Sequence, residues 1–506
     1  MAGFSQPPSS LKPPETEQRS KGQSILIIVL IALMTEIVAF EFTLVSPGLT
    51  DMAIDFGTTK ITLVMTIPLL VGGVVVPIIG KLADVYGKKK VLLSAGATFL
   101  IGTLLCATVS SYPLFLVGRG MQACGLASSV VCYGLVRDLI PSRWVPLGVG
   151  GIGVGIGASA LIGPLLGGWL IDSFGFRSAF WFLLAYAAVV IVAIAILVPE
   201  TTVRIAHRVD YLGAALLGLG ASSLILGANN EDLRTVSFIA GALLLVIFVL
   251  AERRIEQPLI SMSLLTRPGV WMTLAIAGAY GVVNGANGAL LPQMLRAPSV
   301  PGNDQSGLGF SAVGYALHYG LPQGLAAAGC GLLAGWIARK HSPRLAMLFG
   351  MVGALFGSLL VGLGLVSTVG MTILLAVFMG ISNGFFYSSS TNLLIEAVPA
   401  DTQAVTGSMK FTSEQVVSAL SSAFLGAVVG NYILMLNPNT GQSIPSMEGF
   451  HYAYLVCAVA SGVAICVTVA MKHGRTPATG GLASGQRFAG DNAPSASDED
   501  EPSRLG

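Results

Sequence analysis

Two glutamates and one arginine stand in otherwise apolar stretches of this chain, and their types and spacing suit the carrying of a proton. Glu36 and Glu41 lie in the apolar run Ser24 to Ser46, and Arg119 lies in the run from 112 to 136. A charge at the centre of a membrane-crossing helix costs at least about 2.5–3.5 kcal/mol, so such groups face a cavity or a partner. Burial favours the protonated form of a carboxyl and a nearby guanidinium favours the ionised form, so a carboxylate whose access to water alternates also alternates its proton. Counting about 1.5 Å per residue from the cytoplasmic ends of the spans, Arg119 lies roughly 25 Å up, Glu41 roughly 24 Å and Glu36 roughly 16 Å. Glu41 is therefore the expected partner of Arg119, and Glu36 lies nearer the midplane. The two glutamates are five residues apart, about 140° around a helix, so both cannot point squarely into one narrow cleft. The pair is expected to contain the coupling residue, with either member open to that role.

The elements that position these groups follow from composition. Hydrophobic residues make up 53% of the chain and charged residues 10%, with a mean hydropathy of +0.77, which excludes a soluble globular protein. Runs of about 20 apolar residues match the length a helix needs to cross roughly 30 Å of hydrocarbon. Fourteen spans are predicted, at about 24–46, 61–80, 91–110, 112–136, 145–171, 179–198, 211–229, 236–252, 269–292, 313–338, 345–366, 370–395, 411–435 and 450–471. An even count puts both termini on one side, and about 22 of the 27 Lys and Arg then fall on that side, which is the cytoplasm. The expected location is the inner or plasma membrane. The net charge of +2 thus reports orientation and not nucleic-acid binding.

The choice between twelve and fourteen spans rests on Tyr211 to Glu252, an apolar stretch broken by Asn229 to Arg234 and flanked by Arg204, Arg208, Arg253 and Arg254. Two basic flanks on one side require the stretch to cross and return. The expected organisation is a tail over 1–23, a six-helix bundle over 24–198, a two-helix insertion with linkers over 199–268, a second six-helix bundle over 269–471 and a tail over 472–506. The Pro-, Gly- and Ser-rich tails are expected to be disordered. The six cysteines, Cys106, Cys124, Cys132, Cys330, Cys457 and Cys466, lie in apolar runs without C-x-x-C spacing, so they read as packing residues, with no metal site and no disulfide framework.

Several short runs carry more specific information. Gly80-Lys81-Leu82-Ala83-Asp84-Val85-Tyr86-Gly87-Lys88-Lys89-Lys90 resembles motif A of the major facilitator superfamily, whose acid pairs with basic residues and helix ends to latch one of two alternating conformations. The resemblance implies that Asp84 is that acid, that Gly80 and Gly87 permit tight turns, and that Lys88 and Lys89 are cationic anchors. Arg119-Gly120-Met121-Gln122-Ala123-Cys124-Gly125 is similar to motif B, and Gly163-Pro164-Leu165-Leu166-Gly167-Gly168 to motif C, which the family associates with exporters working as antiporters. Glycines there let a neighbouring helix pack closely, and Pro164 permits a kink. Where the family's fourteen-span drug:proton branch has a D-x-T pattern, this chain has Glu41-Phe42-Thr43. Gly335 to Arg344 is a degenerate echo of the first basic hairpin. Gly148-x-Gly150-x-x-Gly153 and Gly380-Ile381-Ser382-Asn383-Gly384 match nucleotide and hydrolase signatures only as letters, lacking the strand that either needs.

The fold class expected is an all-α polytopic membrane protein of the major facilitator fold, two six-helix bundles plus an inserted hairpin. The function that the resemblance implies is proton-coupled efflux of amphiphilic small molecules by alternating access, with no enzyme activity, protons as the coupling ion, no cofactor or metal, and a monomeric state. A lipid or siderophore facilitator of the same fold is the alternative, and a non-transporting membrane sensor a second. Gln122, Asn284, Asn287, His318, Gln323, Asn383 and Tyr387 are candidates to line the substrate cavity, and Asn392 is a further polar position. Lys410 and Glu414, at the entrance of the thirteenth span, are expected to be exposed.

Overall fold

In hydrocarbon every backbone N–H and C=O must find its partner within the segment, so long apolar runs fold as helices. The computed structural model describes residues 20–141, 144–201, 209–255, 258–298, 307–399, 402–436 and 443–478. The tails over 1–19 and 479–506, and Arg204, Arg208, Glu256 and Gln257, lie outside the described residues. A first set of helices runs α1 (Lys21–Thr43), the short α2 (Leu49–Phe56), α3 (Leu63–Tyr86), α4 (Lys88–Thr108), α5 (Tyr112–Gln122), α6 (Ser128–Leu139), α7 (Val145–Phe174) and α8 (Arg177–Leu197). A hairpin follows, α9 (Tyr211–Asn229) and α10 (Arg234–Glu252). The second set opens with one turn, α11 (Met262–Leu265), and continues through α12 (Pro268–Ala289), α13 (Leu291–Arg296), α14 (Ala312–Tyr315), α15 (Leu321–Lys340), α16 (Pro343–Gly362), α17 (Val369–Ala397), α18 (Gln403–Gly430) and α19 (Met447–Ala470).

Among the described residues thirteen helical segments are long and apolar enough to cross a membrane. The expected fifth span, 145–171, falls on α7, where the counted apolar stretch is the shorter Leu161–Phe174, because many side chains before it lie outside the described set. Three spans expected to be continuous are broken. A 3-10 turn over Ala123–Ala127 separates α5 from α6, Leu290 separates α12 from α13, whose first turn carries Pro292, and a π turn over Ala316–Gly320 joins α14 to α15. A short antiparallel pair, β1 (Ile433–Leu436) and β2 (Ser443–Pro445), was not expected either.

The two sets pack alike. Helix α1 lies against α7 as α12 lies against α18, α4 against α5 as α16 against α17, and α4 against α8 as α16 against α19. The sets meet along two seams, α3 on α18 and α7 on α14 and α15. Both seams join the second span of one set to the fifth of the other, the pairing that a parallel repeat about an axis along the membrane normal produces. Helix α9 lies over the first seam and touches both α3 and α18. Each set has its own core, with Ile31, Met34, Phe99 and Leu135 in the first and Ala286, Ala376, Phe450 and Tyr454 in the second, all nearly inaccessible.

The two ends of the molecule are held differently. At the basic end Gly87 separates α3 from α4 with φ 114° and ψ 131°, a conformation that only glycine adopts without strain. Gly80, expected at a turn, instead lies inside α3, where an added Cβ would meet only Val130 in ordinary contact. The carboxylate of Glu200, just beyond α8, accepts from the backbone N–H groups of Lys89 and Lys90 at 3.1 Å each, satisfying orphan donors at the start of α4. At the far end Arg296 of α13 donates to Asp51 of α2 at 2.6 Å and to the Pro47 carbonyl. Asp172 of α7 accepts from the N–H groups of Ala312 and Val313 at 2.9 and 2.8 Å, so both contacts tie the first set to the second.

Candidate functional site

Helix α1 carries both glutamates, and its neighbours treat them differently. Glu41 and Arg119 are each 0% exposed, and Nη1 of Arg119 lies 3.6 Å from Oε1 of Glu41. Neither Glu41 oxygen has a hydrogen-bond partner. Arg119 is held by other groups: Nε donates to the Val64 carbonyl of α3 at 2.9 Å and Nη1 to Oε1 of Gln122 at 2.6 Å. Gln122 in turn donates to Oγ1 of Thr103 at 2.9 Å. The guanidinium is thus fixed by α3 and α5, and Glu41 is the member free to change its contacts. The break after Gln122, over Ala123–Ala127, sits directly beside this network.

Glu36 is 6% exposed, and its Oε1 has no partner. It shares the helix stripe of Leu33 and Phe40, one turn to either side. Tyr186 of α8 donates to the Leu33 carbonyl at 2.8 Å, and its ring meets that of Phe40 edge-on at 5.3 Å. Glu36 therefore sits on the α8 side of α1, while Glu41 sits on the α5 side.

The motif A residues form a network within the first set. Lys88 lies 3.3 Å from Asp84 and 2.7 Å from Asp138 of α6, and Lys89 donates to the Ala195 carbonyl of α8 at 2.7 Å. Lys81 reaches sideways and donates to the Pro258 carbonyl at 3.3 Å, beside the buried Asp210 and Glu252 that begin and end the hairpin. The motif C residues lie at the far end. A Cβ at Gly167 would stand 2.9 Å from the Cα and carbonyl oxygen of Leu44, and one at Gly168 would stand 2.7 Å from the Ala312 carbonyl. Gly163 faces Thr43, and Pro164 packs on Gly320. This stretch of α7 thereby meets the end of α1 and the start of the second set at once.

The expected cavity residues have differing surroundings. Gln122 is fully buried in the first set, with its amide bonded to Arg119 and Thr103. Asn287 ties helices together, donating to Sδ of Met379 at 3.2 Å and accepting from the Tyr454 hydroxyl at 2.9 Å. His318 lies in the π turn against Phe310 at 5.2 Å, with Nδ1 buried and without a partner. Asn284, Gln323 and Asn383 are half-buried. Tyr387 is 40% exposed and donates to Glu414 at 2.6 Å. Two cavities, of about 520 and 750 Å³, lie between α12 and α18 and at the basic ends of α15 and α17. Asn392 lines the second, and none of the seven expected residues lines either. Gly380 and Gly384, letter-matches to a hydrolase signature, bring α17 against the backbone of α15 at Gln323 and Ala327.

Lys410 and Glu414 depart furthest from expectation. Their side chains are only 12% and 2% exposed, because α18 begins at Gln403 and carries both inside the packed helices. The signal available in the sequence was an acid four residues after a lysine, a pattern equally compatible with a solvated face.

The model of the Major Facilitator Superfamily matches residues 31–422 of this chain. An uncharacterised MFS-type transporter of Mycobacterium tuberculosis is 32% identical over 37% of this chain, and the chain spans only 28% of that protein's length. A multidrug resistance protein B homolog of the same species is 27% identical over 64% of this chain and 60% of its own. A uridine/deoxyuridine transporter of Lactococcus lactis is 25% identical over 76% of this chain and 82% of its own. Among solved structures, a bacterial homolog of the human lysosomal transporter Spinster, inward-facing and unoccupied, superposes with a TM-score of 0.66 at 14% identity, over 90% of this chain and 98% of that one. Matched over most of its length and folded alike, this chain belongs to the Major Facilitator Superfamily.

Proposed function

We propose that this protein is a proton-coupled antiporter that expels amphiphilic small molecules by alternating access. The observation that carries the reading is the Glu41–Arg119 pair, fully buried, with no hydrogen bond to the carboxylate. A carboxylate held near a fixed cation but unbonded can exchange that cation for a proton at modest cost, which is what coupling requires. Motif C packing and the multidrug resistance relative support outward transport. In this reading the chain crosses the plasma membrane fourteen times with both termini cytoplasmic, as a monomer of two six-helix bundles and an inserted hairpin. Asp84, Lys88 and Lys89 latch one conformation, Glu36 is a secondary acid, and protons take the place of any cofactor. One proton entering down about 100 mV supplies roughly 2.3 kcal/mol, enough for a roughly fiftyfold gradient of a neutral substrate at one-to-one exchange.

Proteoliposomes with an imposed pH gradient test this. Proton-driven accumulation of an exported dye is abolished by Glu41→Gln, while substrate counterflow without a gradient persists. Proton-driven transport unaffected by Glu41→Gln overturns the assignment to Glu41, and unchanged coupling in the Glu36→Gln, Glu41→Gln double variant overturns the pair as well. A second reading, uptake of a nucleoside-like solute, is favoured by the uridine/deoxyuridine relative, and uridine uptake by cells carrying the protein would establish it instead.

A further inference from the structure

A second group of buried ionisable and aromatic side chains lies where α12, α17 and α18 meet, in the set that does not carry the Glu41–Arg119 pair. The ammonium of Lys410 stands 5.2 Å from the ring centroids of both Phe386 and Tyr387 and 3.9 Å from Oε2 of Glu414. Tyr387 donates its hydroxyl to the other oxygen of Glu414 at 2.6 Å. Tyr280 stacks on Phe386 at 3.8 Å and meets Tyr387 edge-on at 5.9 Å, fixing both rings. Two aromatic faces and a carboxylate around one ammonium are the groups that recognise an organic cation. Phe386 and Tyr280 are 0% and 4% exposed and close the back of the group, while Tyr387, at 40%, is its open side.

The cation now held there is tethered. Lys410 and Glu414 are one helical turn apart on α18, and Lys410 lies about 10 Å from the start of that helix. Its flexible stem lets the ammonium swing along the helix towards that end and water. We propose that Glu414, Tyr387, Phe386 and Tyr280 form a site for a positively charged group of an amphiphilic ligand, and that Lys410 is a resident occupant which the ligand displaces. With Lys410 in place an unloaded site leaves no buried carboxylate without a counter-charge, so the empty protein can pack closed. That this ligand is transported rests on the transport reading above, but the site does not depend on proton coupling.

The test uses the full-length purified protein in nanodiscs, with tetraphenylphosphonium as the cationic probe and triphenylphosphine oxide as a neutral one of similar shape. Lys410→Met empties the cage and tightens tetraphenylphosphonium binding by about tenfold, a gain that misfolding cannot produce. Glu414→Gln weakens it by about tenfold or more and changes triphenylphosphine oxide binding by less than about twofold. Equal losses for both probes in Glu414→Gln, a loss in Lys410→Met, or no tetraphenylphosphonium binding by either the unaltered protein or Lys410→Met would each overturn the proposal. Failure of the coupling assignment is separate: it would appear as proton-driven transport unaffected by Glu41→Gln, with probe selectivity at the cage unchanged.

Discussion

The buried pair of α1 and α5 gives a direct energetic prediction. Glu41→Gln and Arg119→Met, made singly and together, form a double-mutant cycle on groups 3.6 Å apart with no exposed surface. At an effective dielectric constant of about 20, two unit charges at that separation attract by about 4–5 kcal/mol, an upper limit on the coupling. Arg119→Met also removes the bonds to Val64 and Gln122, each worth about 1.5–3 kcal/mol for a charged donor, and leaves the Gln122 oxygen with only the weak thiol donor of Cys106 at 3.8 Å. Glu41→Gln breaks no hydrogen bond, since the carboxylate makes none. The arginine variant is therefore the more destabilised single change, and the double variant is more stable than the sum of the two by about 1.5 kcal/mol or more. Unfolding by SDS in mixed micelles measures all four corners. The coupling exists only while Glu41 is ionised, so it is largest at alkaline pH and disappears as acid protonates the carboxyl. Additive single effects at every pH would show that the two charges do not interact, and the argument for Glu41 as the coupling group would fail.

Three further outcomes follow from the contacts. Arg296→Met removes the far-end tie to Asp51, a partly exposed pair worth about 1 kcal/mol, so spin labels placed across the far end should shift towards separation by about fivefold in population. Gly167→Ala sets a Cβ 2.9 Å from the Leu44 backbone, which cannot move aside as a side chain can, and should cost about 1–3 kcal/mol in thermal stability while widening the same label distances. Lys88→Ala leaves Asp84 and Asp138 without their shared cation and should lower the melting temperature; Lys88→Arg should recover part of the loss, and equal melting for the two variants would remove the network from any account of the basic end.

Much of the architecture was legible because it is dictated locally. Runs such as 61–80 and 345–366 fold as α3 and α16, since lipid leaves backbone groups no partner except their own helix. The buried pairing of Glu41 with Arg119 was also legible, because two charges at equal depth in neighbouring apolar helices have few other ways to be neutralised. What periodicity could not supply was the way helices break and which face each presents. The π turn around His318, the break beside Gln122 and the burial of Gln122 within the first set depend on neighbours distant in sequence. Glu36 and Glu41 look equivalent as letters, and only the placement of Tyr186 and Arg119 against opposite sides of α1 separates them. The same holds for Lys410 and Glu414. Composition fixed that the chain would enter a bilayer as helices, whereas the surroundings of each polar group were set by close packing between helices, because there a neighbour's backbone or ring a few ångströms away decides whether a charge is solvated, paired or caged.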